Sequence, residues 1–398
     1  MKKRLLFVID SLDVAGAEKS LVTLLNLLDF TRYDVDLQLF AHGHMLEKLV
    51  PKEVRVLKPF IYTEFAALNL REAFIQAVSK SQFKMLSSRL KYSFQIRKGK
   101  TGNKQKARLF WQHASTVIEP NPRAYDVAIA YAQGVPTFYV AEKVKAKRKL
   151  AWVNVSYRLE MKEKTFQTRY YNKFDGIVAV SESAETVFLE TFPEYRDKVS
   201  IQYDINNPEF IAAMAEADEG YQDGFDGIRL LTIGRLSHQK GYDVALETCR
   251  QLKQSGLHFK WYVLGKGPLQ REMETAIKDM GLTEHFILLG VNANPYPYIK
   301  QADVYVQTSR FEGFGLAIAE ARMLNVPVVT SEFDAVYNQM VNGENGLVVE
   351  RTPEAVTKAI QQMIDDHALR SYITTYLTQE KKGNVEAIHG FYELIESS

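Results

Sequence analysis

The stretch Ser309-Arg-Phe-Glu-Gly-Phe-Gly-Leu-Ala-Ile-Ala-Glu320 decides how the chain is read. Ahead of it, Ala302-Asp-Val-Tyr-Val-Gln-Thr308 alternates β-branched and aromatic residues, the pattern of a short buried strand. Behind it, Leu316, Ile318, Ala319, Met323 and Leu324 recur at roughly helical spacing. Gly313 and Gly315 stand where the strand must turn sharply into the helix and expose its first amides. Those unpaired N–H groups, with the partial positive charge of a helix end, suit phosphate or sugar oxygens. Glu312 falls in the turn and Glu320 about two turns into the helix. One carboxylate can therefore face a sugar while the other accepts from ribose hydroxyls further along a nucleotide.

Two glutamates at this spacing mean little alone, and a strand–helix turn with surface glutamates is the plainer alternative. Their context is more specific: a strand, Glu-Gly-Phe-Gly-Leu, Glu-Ala, and then the strand Val326-Pro-Val-Val-Thr330. This arrangement resembles the paired-glutamate motif of retaining glycosyltransferases with the GT-B fold, in particular family 4 and its bacterial surface-polysaccharide members. The resemblance implies an α/β chain with two Rossmann-like domains facing a central cleft. It also implies a metal-independent hexosyltransferase whose substrate is a nucleotide-diphosphate sugar, UDP-linked by preference, with no further cofactor.

At 398 residues the chain suits two α/β domains better than one core. No run approaches the ~20 apolar residues of a membrane span. The N-terminus, Met1-Lys-Lys-Arg-Leu-Leu-Phe-Val-Ile-Asp10, has an apolar run of only five residues and reads as a first strand, not a signal peptide. The single Cys249 excludes an intrachain disulfide and fits a reducing cytoplasm. It shares a helical face with Val244, Ala245, Thr248 and Leu252, a core position. No His, Cys and carboxylate cluster has metal-ligand spacing, so no metal site is expected. The net charge of +2 says little; its distribution says more.

In the N-terminal half, strand-like and helix-like segments alternate, as in a parallel sheet covered by helices. The expected strands are Leu5–Ile9, Asp34–Phe40, Val54–Leu57, Tyr125–Tyr131, Lys149–Val155, Gly176–Val180 and Val199–Gln202. After the first strand, Ser11-Leu-Asp-Val-Ala-Gly-Ala-Glu18 resembles the family's Gly-Gly-Ala-Glu turn, which approaches the donor phosphate and sugar, with Ala15 in the first glycine's place. Gly16 still lets backbone come close to a ligand. Lys149-Leu-Ala-Trp-Val-Asn-Val-Ser-Tyr157 resembles a segment ending in histidine in many bacterial relatives. Asn154 replaces that histidine and can only hydrogen-bond, so no acid–base role is carried over. His113 lies at helical spacing and reads as a surface or half-buried residue, and Ser181 as a helix N-cap.

Residues 80–108 hold ten basic residues, Lys80, Lys84, Arg89, Lys91, Arg97, Lys98, Lys100, Lys104, Lys106 and Arg108, and no carboxylate. Phe83, Leu86, Leu90 and Phe94 are interleaved at helical spacing, the pattern of a basic amphipathic helix on an anionic membrane. The alternative is a solvated insertion helix packing its stripe on the domain. The aliphatic stripe argues against nucleic acid. Lys143, Lys145, Lys147, Arg148 and Lys149 would widen the same basic surface. These readings predict a cytoplasmic protein, peripheral on the inner face of the plasma membrane, acting on a lipid-linked or other glycan acceptor.

Asn206-Asn-Pro208 ends the first half, and the acidic, glycine-containing residues 216–227 read as the linker. The domains are then 1–205, with a basic insertion near 60–125, and 206–376, with 377–398 a helix returning to the first domain. Ile228-Arg-Leu-Leu-Thr-Ile-Gly-Arg-Leu-Ser-His-Gln-Lys-Gly-Tyr-Asp243 resembles the family's Gly-Arg-Leu…Lys-Gly segment. A leaving nucleoside diphosphate gains charge as its bond breaks; Arg235 offers a planar fork and Lys240 a point charge to hold it. Gly234 precedes them, and Gly265 and Gly267 in Leu-Gly-Lys-Gly-Pro268 form a second glycine turn of the family type. Val291 and Asn292 are the base-contact candidates by the same resemblance. Glu312 with Gly313, Phe314, Gly315 and Leu316 would position the sugar, and Glu320 the ribose. The other readings are a non-catalytic GT-B subunit that stabilises a partner transferase, and a soluble transferase with a small or protein acceptor.

Overall fold

The structure, a computed structural model, describes the chain apart from residues 1, 14–15, 98–101, 155–158, 313 and 397–398, and the side chains of residues 103 and 104. It divides into two compact units, Met1–Ile205 with Glu386–Ser398, and Asn206–Val385.

The first unit is built on seven strands: β1 (Lys3–Ile9), β2 (Tyr33–Leu39), β3 (Arg55–Val56), β4 (Ala124–Ala130), β5 (Lys145–Val153), β6 (Gly176–Ala179) and β7 (Val199–Ile201). They pair in parallel in the order β3-β2-β1-β4-β5-β6-β7. The second unit holds β8 (Ile228–Ile233), β9 (Phe259–Leu264), β10 (Phe286–Gly290), β11 (Val304–Gln307), β12 (Val328–Ser331) and β13 (Gly346–Val349). Their order is β10-β9-β8-β11-β12-β13, again parallel. Helices cover both faces of such sheets, so the central strands are apolar almost throughout. Leu5, Leu6, Phe7 and Val8 are fully buried, as are Val304, Tyr305 and Val306.

In both sheets the strand order reverses beside the first strand, between β1 and β4 and between β8 and β11. Crossovers leave in opposite directions there, opening a crevice at the C-terminal strand ends where ligands bind. In the second sheet this point is pinned from inside. The Trp261 indole donates to Thr232 Oγ1 at 2.9 Å, and Thr232 donates to the Val306 carbonyl at 2.6 Å, tying β9, β8 and β11 together.

Three expectations need correction. Residues 216–227 are not a linker: Tyr221 packs on Tyr262 with ring centroids 4.4 Å apart, and Asp223 accepts from Lys260 at 2.9 Å and Tyr262 at 2.5 Å. Their acid and glycine content hid those anchors. The boundary at 376 falls inside the helix His367–Gln379, whose Ile373 and Leu377 are buried in the second core. The return is made by the helix Ile388–Glu396, where Phe391 stacks on Phe7 and Tyr392 on Tyr33.

The third concerns the basic insertion. It folds as helices Ile61–Ala67, Leu70–Ser79, Phe83–Arg97 and Asn103–Ala114. Arg89 donates to the Phe65 and Leu68 carbonyls at the end of the first of these. Arg108, 8% exposed, pairs with Glu163 at 2.6 Å. Lys149 turns inward to the Ala141 carbonyl, and burial lowers its pKa. These three cations hold the fold and leave the basic surface, whereas Lys80, Lys84, Lys91, Arg97 and Lys106 are exposed. Lys98 and Lys100 lie outside the described residues. Phe83, Leu90 and Phe94 are also exposed, and Leu70, Phe74, Ile75 and Val78 on the preceding helix add to them. Cys249 sits in the second core as expected, fully buried.

Candidate functional site

The loops leaving β8 and β11 meet at the reversal point of the second sheet. Gln239 and Arg310 stitch them together: the Arg310 backbone amide donates to the Gln239 carbonyl at 2.7 Å, and Gln239 Nε2 to the Phe311 carbonyl at 2.9 Å. Arg310 also forks onto Asp243 at 2.9 and 2.7 Å. Gly241, at φ +65°, closes the seam; a Cβ there would lie 2.0 Å from the Thr308 carbonyl oxygen, so only glycine fits.

This seam brings Lys240 and Glu312 together. Lys240 Nζ lies 2.6 Å from Glu312 Oε1, with the two side chains 16% and 10% exposed. The same oxygen accepts from Ser309 Oγ at 2.6 Å and from Gln307 Nε2 at 3.1 Å. Burial, with the Glu312 carboxylate adding to it, pushes the Tyr242 hydroxyl above its usual range, so it stays a donor, to the Gly234 carbonyl at 2.9 Å.

The glycines here serve protein contacts first. Lys240 runs across Gly234, where a Cβ would come within 2.8 Å of its Cε. A Cβ on Gly265 would lie 2.0 Å from the Gly234 oxygen, and one on Gly267 2.3 Å from the Leu236 oxygen. The second glycine turn is thus pressed against the first.

Arg235 is exposed and forms no ion pair among the described residues. Phe314 is half-buried, Gly315 adopts φ +83° as the cap of the helix Leu316–Met323, and Gly313 lies outside the described residues. The first-turn amides of Leu316 and Ala317 have no acceptor within their own helix. Glu320 is 4% exposed and accepts from the Tyr296 hydroxyl at 3.1 Å, so a ribose hydroxyl arriving there would share it with Tyr296. Val291 and Asn292 are half-buried beyond β10, where Asn292 Oδ1 accepts from the Asn294 amide at 2.8 Å.

In the first unit, Gly16 opens the helix Gly16–Leu27, and Ala15 lies outside the described residues. At the C-terminal strand ends, Ser20 Oγ lies 2.9 Å from the Tyr131 hydroxyl and donates to Asp204, whose pKa burial pushes up to about 6. Asn154 donates to the Tyr131 carbonyl at 2.6 Å. His113 is half-buried and away from these groups' hydrogen bonds; burial lowers its pKa. Ser181 caps its helix, accepting from the Ala184 amide at 3.1 Å.

Sequence reasoning gave no role to Gln307, Ser309 or Gln339. Gln339 donates to the Phe314 carbonyl and, at 3.2 Å, to that of Gly315, while Asn345 donates to the Gln339 carbonyl at 3.1 Å. The polar Gln307 at the end of an apolar strand was a signal for one of the three.

Residues 224–380 match the family described as glycosyl transferases group 1, a span that takes in Lys240 and Glu312. The N-acetylgalactosamine-N,N'-diacetylbacillosaminyl-diphospho-undecaprenol 4-alpha-N-acetylgalactosaminyltransferase of Campylobacter jejuni is 28% identical over 50% of this chain and 53% of its own. The amylovoran biosynthesis glycosyltransferase AmsK of Erwinia amylovora is 30% identical over 34% of this chain and 35% of its own. The chain therefore spans about half the length, or less, of these curated relatives. The crystal structure of Anabaena HepE in complex with UDP and glucose aligns over 100% of both chains at 17% identity, with a TM-score of 0.69. With the two parallel sheets, this likeness identifies the fold as GT-B.

Proposed function

We propose that this GT-B chain is a retaining glycosyltransferase that moves a hexose from a nucleotide-diphosphate donor, UDP-linked by preference, to a lipid-linked oligosaccharide in surface-polysaccharide assembly. The observation that carries this reading is the Lys240–Glu312 pair at the reversal point of the second sheet, inside the segment matched by the glycosyltransferase family. The named diphospho-undecaprenol acceptor of the C. jejuni relative and the UDP and glucose held by HepE support the acceptor and donor classes.

In this reading Arg235 and Lys240 neutralise the diphosphate as charge grows on it, the task a divalent metal performs in other sugar transferases. At an effective dielectric near 20, one cation ~4 Å away contributes about 4 kcal/mol of raw Coulomb energy before desolvation. Glu312 and the amides from Phe314 to Leu316 orient the sugar, and Glu320 holds the ribose. The acceptor hydroxyl attacks on the face the diphosphate leaves, and the departing phosphate takes its proton, so configuration is retained. The acceptor meets the membrane-facing insertion, whose exposed Phe74, Phe83 and Phe94 lie among exposed lysines. No helix among the described residues is long and apolar enough to cross a membrane.

The test is thermal unfolding with UDP, GDP, ADP and CMP, followed by transfer assays with UDP-hexoses in EDTA. A ligand at ~100 times its Kd adds about 2.7 kcal/mol of stability. UDP-specific stabilisation with EDTA-resistant transfer is expected. No response to any nucleotide would instead favour a non-catalytic subunit.

A further inference from the structure

Glu312 is held in an asymmetric way. Lys240 Nζ at 2.6 Å, Ser309 Oγ at 2.6 Å and Gln307 Nε2 at 3.1 Å all converge on Oε1. Among the described residues no donor reaches Oε2. We propose that Gln307 and Ser309 are positioning residues that fix Glu312 with Oε2 turned to the donor sugar, and thereby set how strongly the sugar is recognised. The assignment rests on the donor reading above and adds to it the residues that make Glu312 selective.

A carboxylate can only accept, so it takes its orientation from its donors. Lys240 is a flexible point charge that a bound diphosphate also attracts, so it cannot alone fix Glu312 when the site is full. Gln307 and Ser309 are neutral and feel no such pull. Both are rigid: they are 1% and 0% exposed, and the Ser309 carbonyl accepts from Ser331 Oγ on β12 at 2.8 Å. The amide of Gln307 is itself set, because the Tyr305 hydroxyl donates to its Oε1 at 2.8 Å and leaves the NH2 group for the carboxylate. Lys240 can then shift toward phosphate while Glu312 keeps its aim.

Calorimetric Kd values for UDP and for UDP-glucose, UDP-galactose, UDP-GlcNAc and UDP-GalNAc test this on wild type, Ser309→Ala, Ser309→Thr and Gln307→Leu. UDP should bind all four proteins alike. The extra affinity that wild type gains from its preferred hexose should fall about tenfold in Ser309→Ala, as expected for a lost hydrogen bond to a charged group. Ser309→Thr, which keeps the hydroxyl, should recover most of it. Should Gln307→Leu unfold, the Ser309 pair alone decides. An undiminished hexose gain in Ser309→Ala, with UDP still bound, overturns this assignment and leaves the donor reading standing. Failure of wild type to bind UDP, or to gain from any hexose, overturns the donor reading and this assignment with it.

Discussion

Lys240 Nζ and Glu312 Oε1, 72 residues apart in sequence, stand 2.6 Å from each other. Two groups expected to act separately, one on phosphate and one on sugar, form a single ion pair. Lys240→Ala strands a carboxylate that is 10% exposed. The expected loss in urea unfolding is about 2 kcal/mol, below the ~3–5 of a fully buried broken pair because Ser309 and Gln307 still donate. Adding Glu312→Gln should restore at least half the stability and none of the transfer. An unchanged midpoint in the single variant would show that the pair does not hold the loops.

Arg235 makes the opposite case, since no ion pair holds it among the described residues. Arg235→Ala should leave stability within about 0.5 kcal/mol of wild type. UDP affinity should nevertheless fall about tenfold or more, the worth of a hydrogen bond to a charged group. Calorimetry showing wild-type affinity would remove Arg235 from the diphosphate.

Gly265→Ala should destabilise the second unit by about 3 kcal/mol or more, because its Cβ would lie 2.0 Å from the Gly234 oxygen. Gly256 is the control. It has φ +78° but open space around its Cβ, so alanine there should cost only the ~1–2 kcal/mol of the left-handed conformation. Equal unfolding midpoints for the two variants would contradict the close seam.

Sedimentation with vesicles rich in anionic lipid checks the insertion. Phe74→Asp with Phe83→Asp, or Lys84→Glu with Lys91→Glu, should weaken binding, each cation contributing about 1 kcal/mol near such a surface. Arg108→Ala should instead lower the melting temperature, since it removes the partner of buried Glu163. Vesicle binding unaltered by all four surface changes would leave a solvated insertion.

Burial raises Asp204 from 3.8 to about 6 in the folded state. The folded chain then holds a proton that the unfolded chain has released, so this group's contribution is full below about pH 4 and is lost as pH rises toward 6. Asp204→Asn should match wild type near pH 4 and become progressively more stable than it by pH 7. Urea midpoints across that range would sink the idea if the difference were flat or of opposite sign.

Much of this was legible in the sequence. The central strands of both sheets follow apolar runs of the kind that two-sided burial demands, and Gly234, Lys240 and Glu312 stand out by residue type and order. What the sequence hid were contacts between distant segments. Nothing in a run of lysines and arginines marks Arg89 and Arg108 as structural, because their partners lie 24 and 55 positions away. Nor does a string of acids and glycines reveal that Tyr221 sits on Tyr262. The glycines of the second turn stand out by type, but their neighbour, the backbone of Gly234 and Leu236, does not.

The last helix, Ile388–Glu396, belongs to the first unit although the whole second unit precedes it in the chain. A single proteolytic nick in the linking segments cannot release the first half as a continuous polypeptide carrying all its own parts. Trimming the tail to isolate the second half would strip Phe391 from Phe7 and Tyr392 from Tyr33. Anyone wishing to study the first half alone must therefore cut twice and splice, joining Ile205 directly to Glu386. In the ribosome's order of synthesis, the first half is completed only after the second has already emerged.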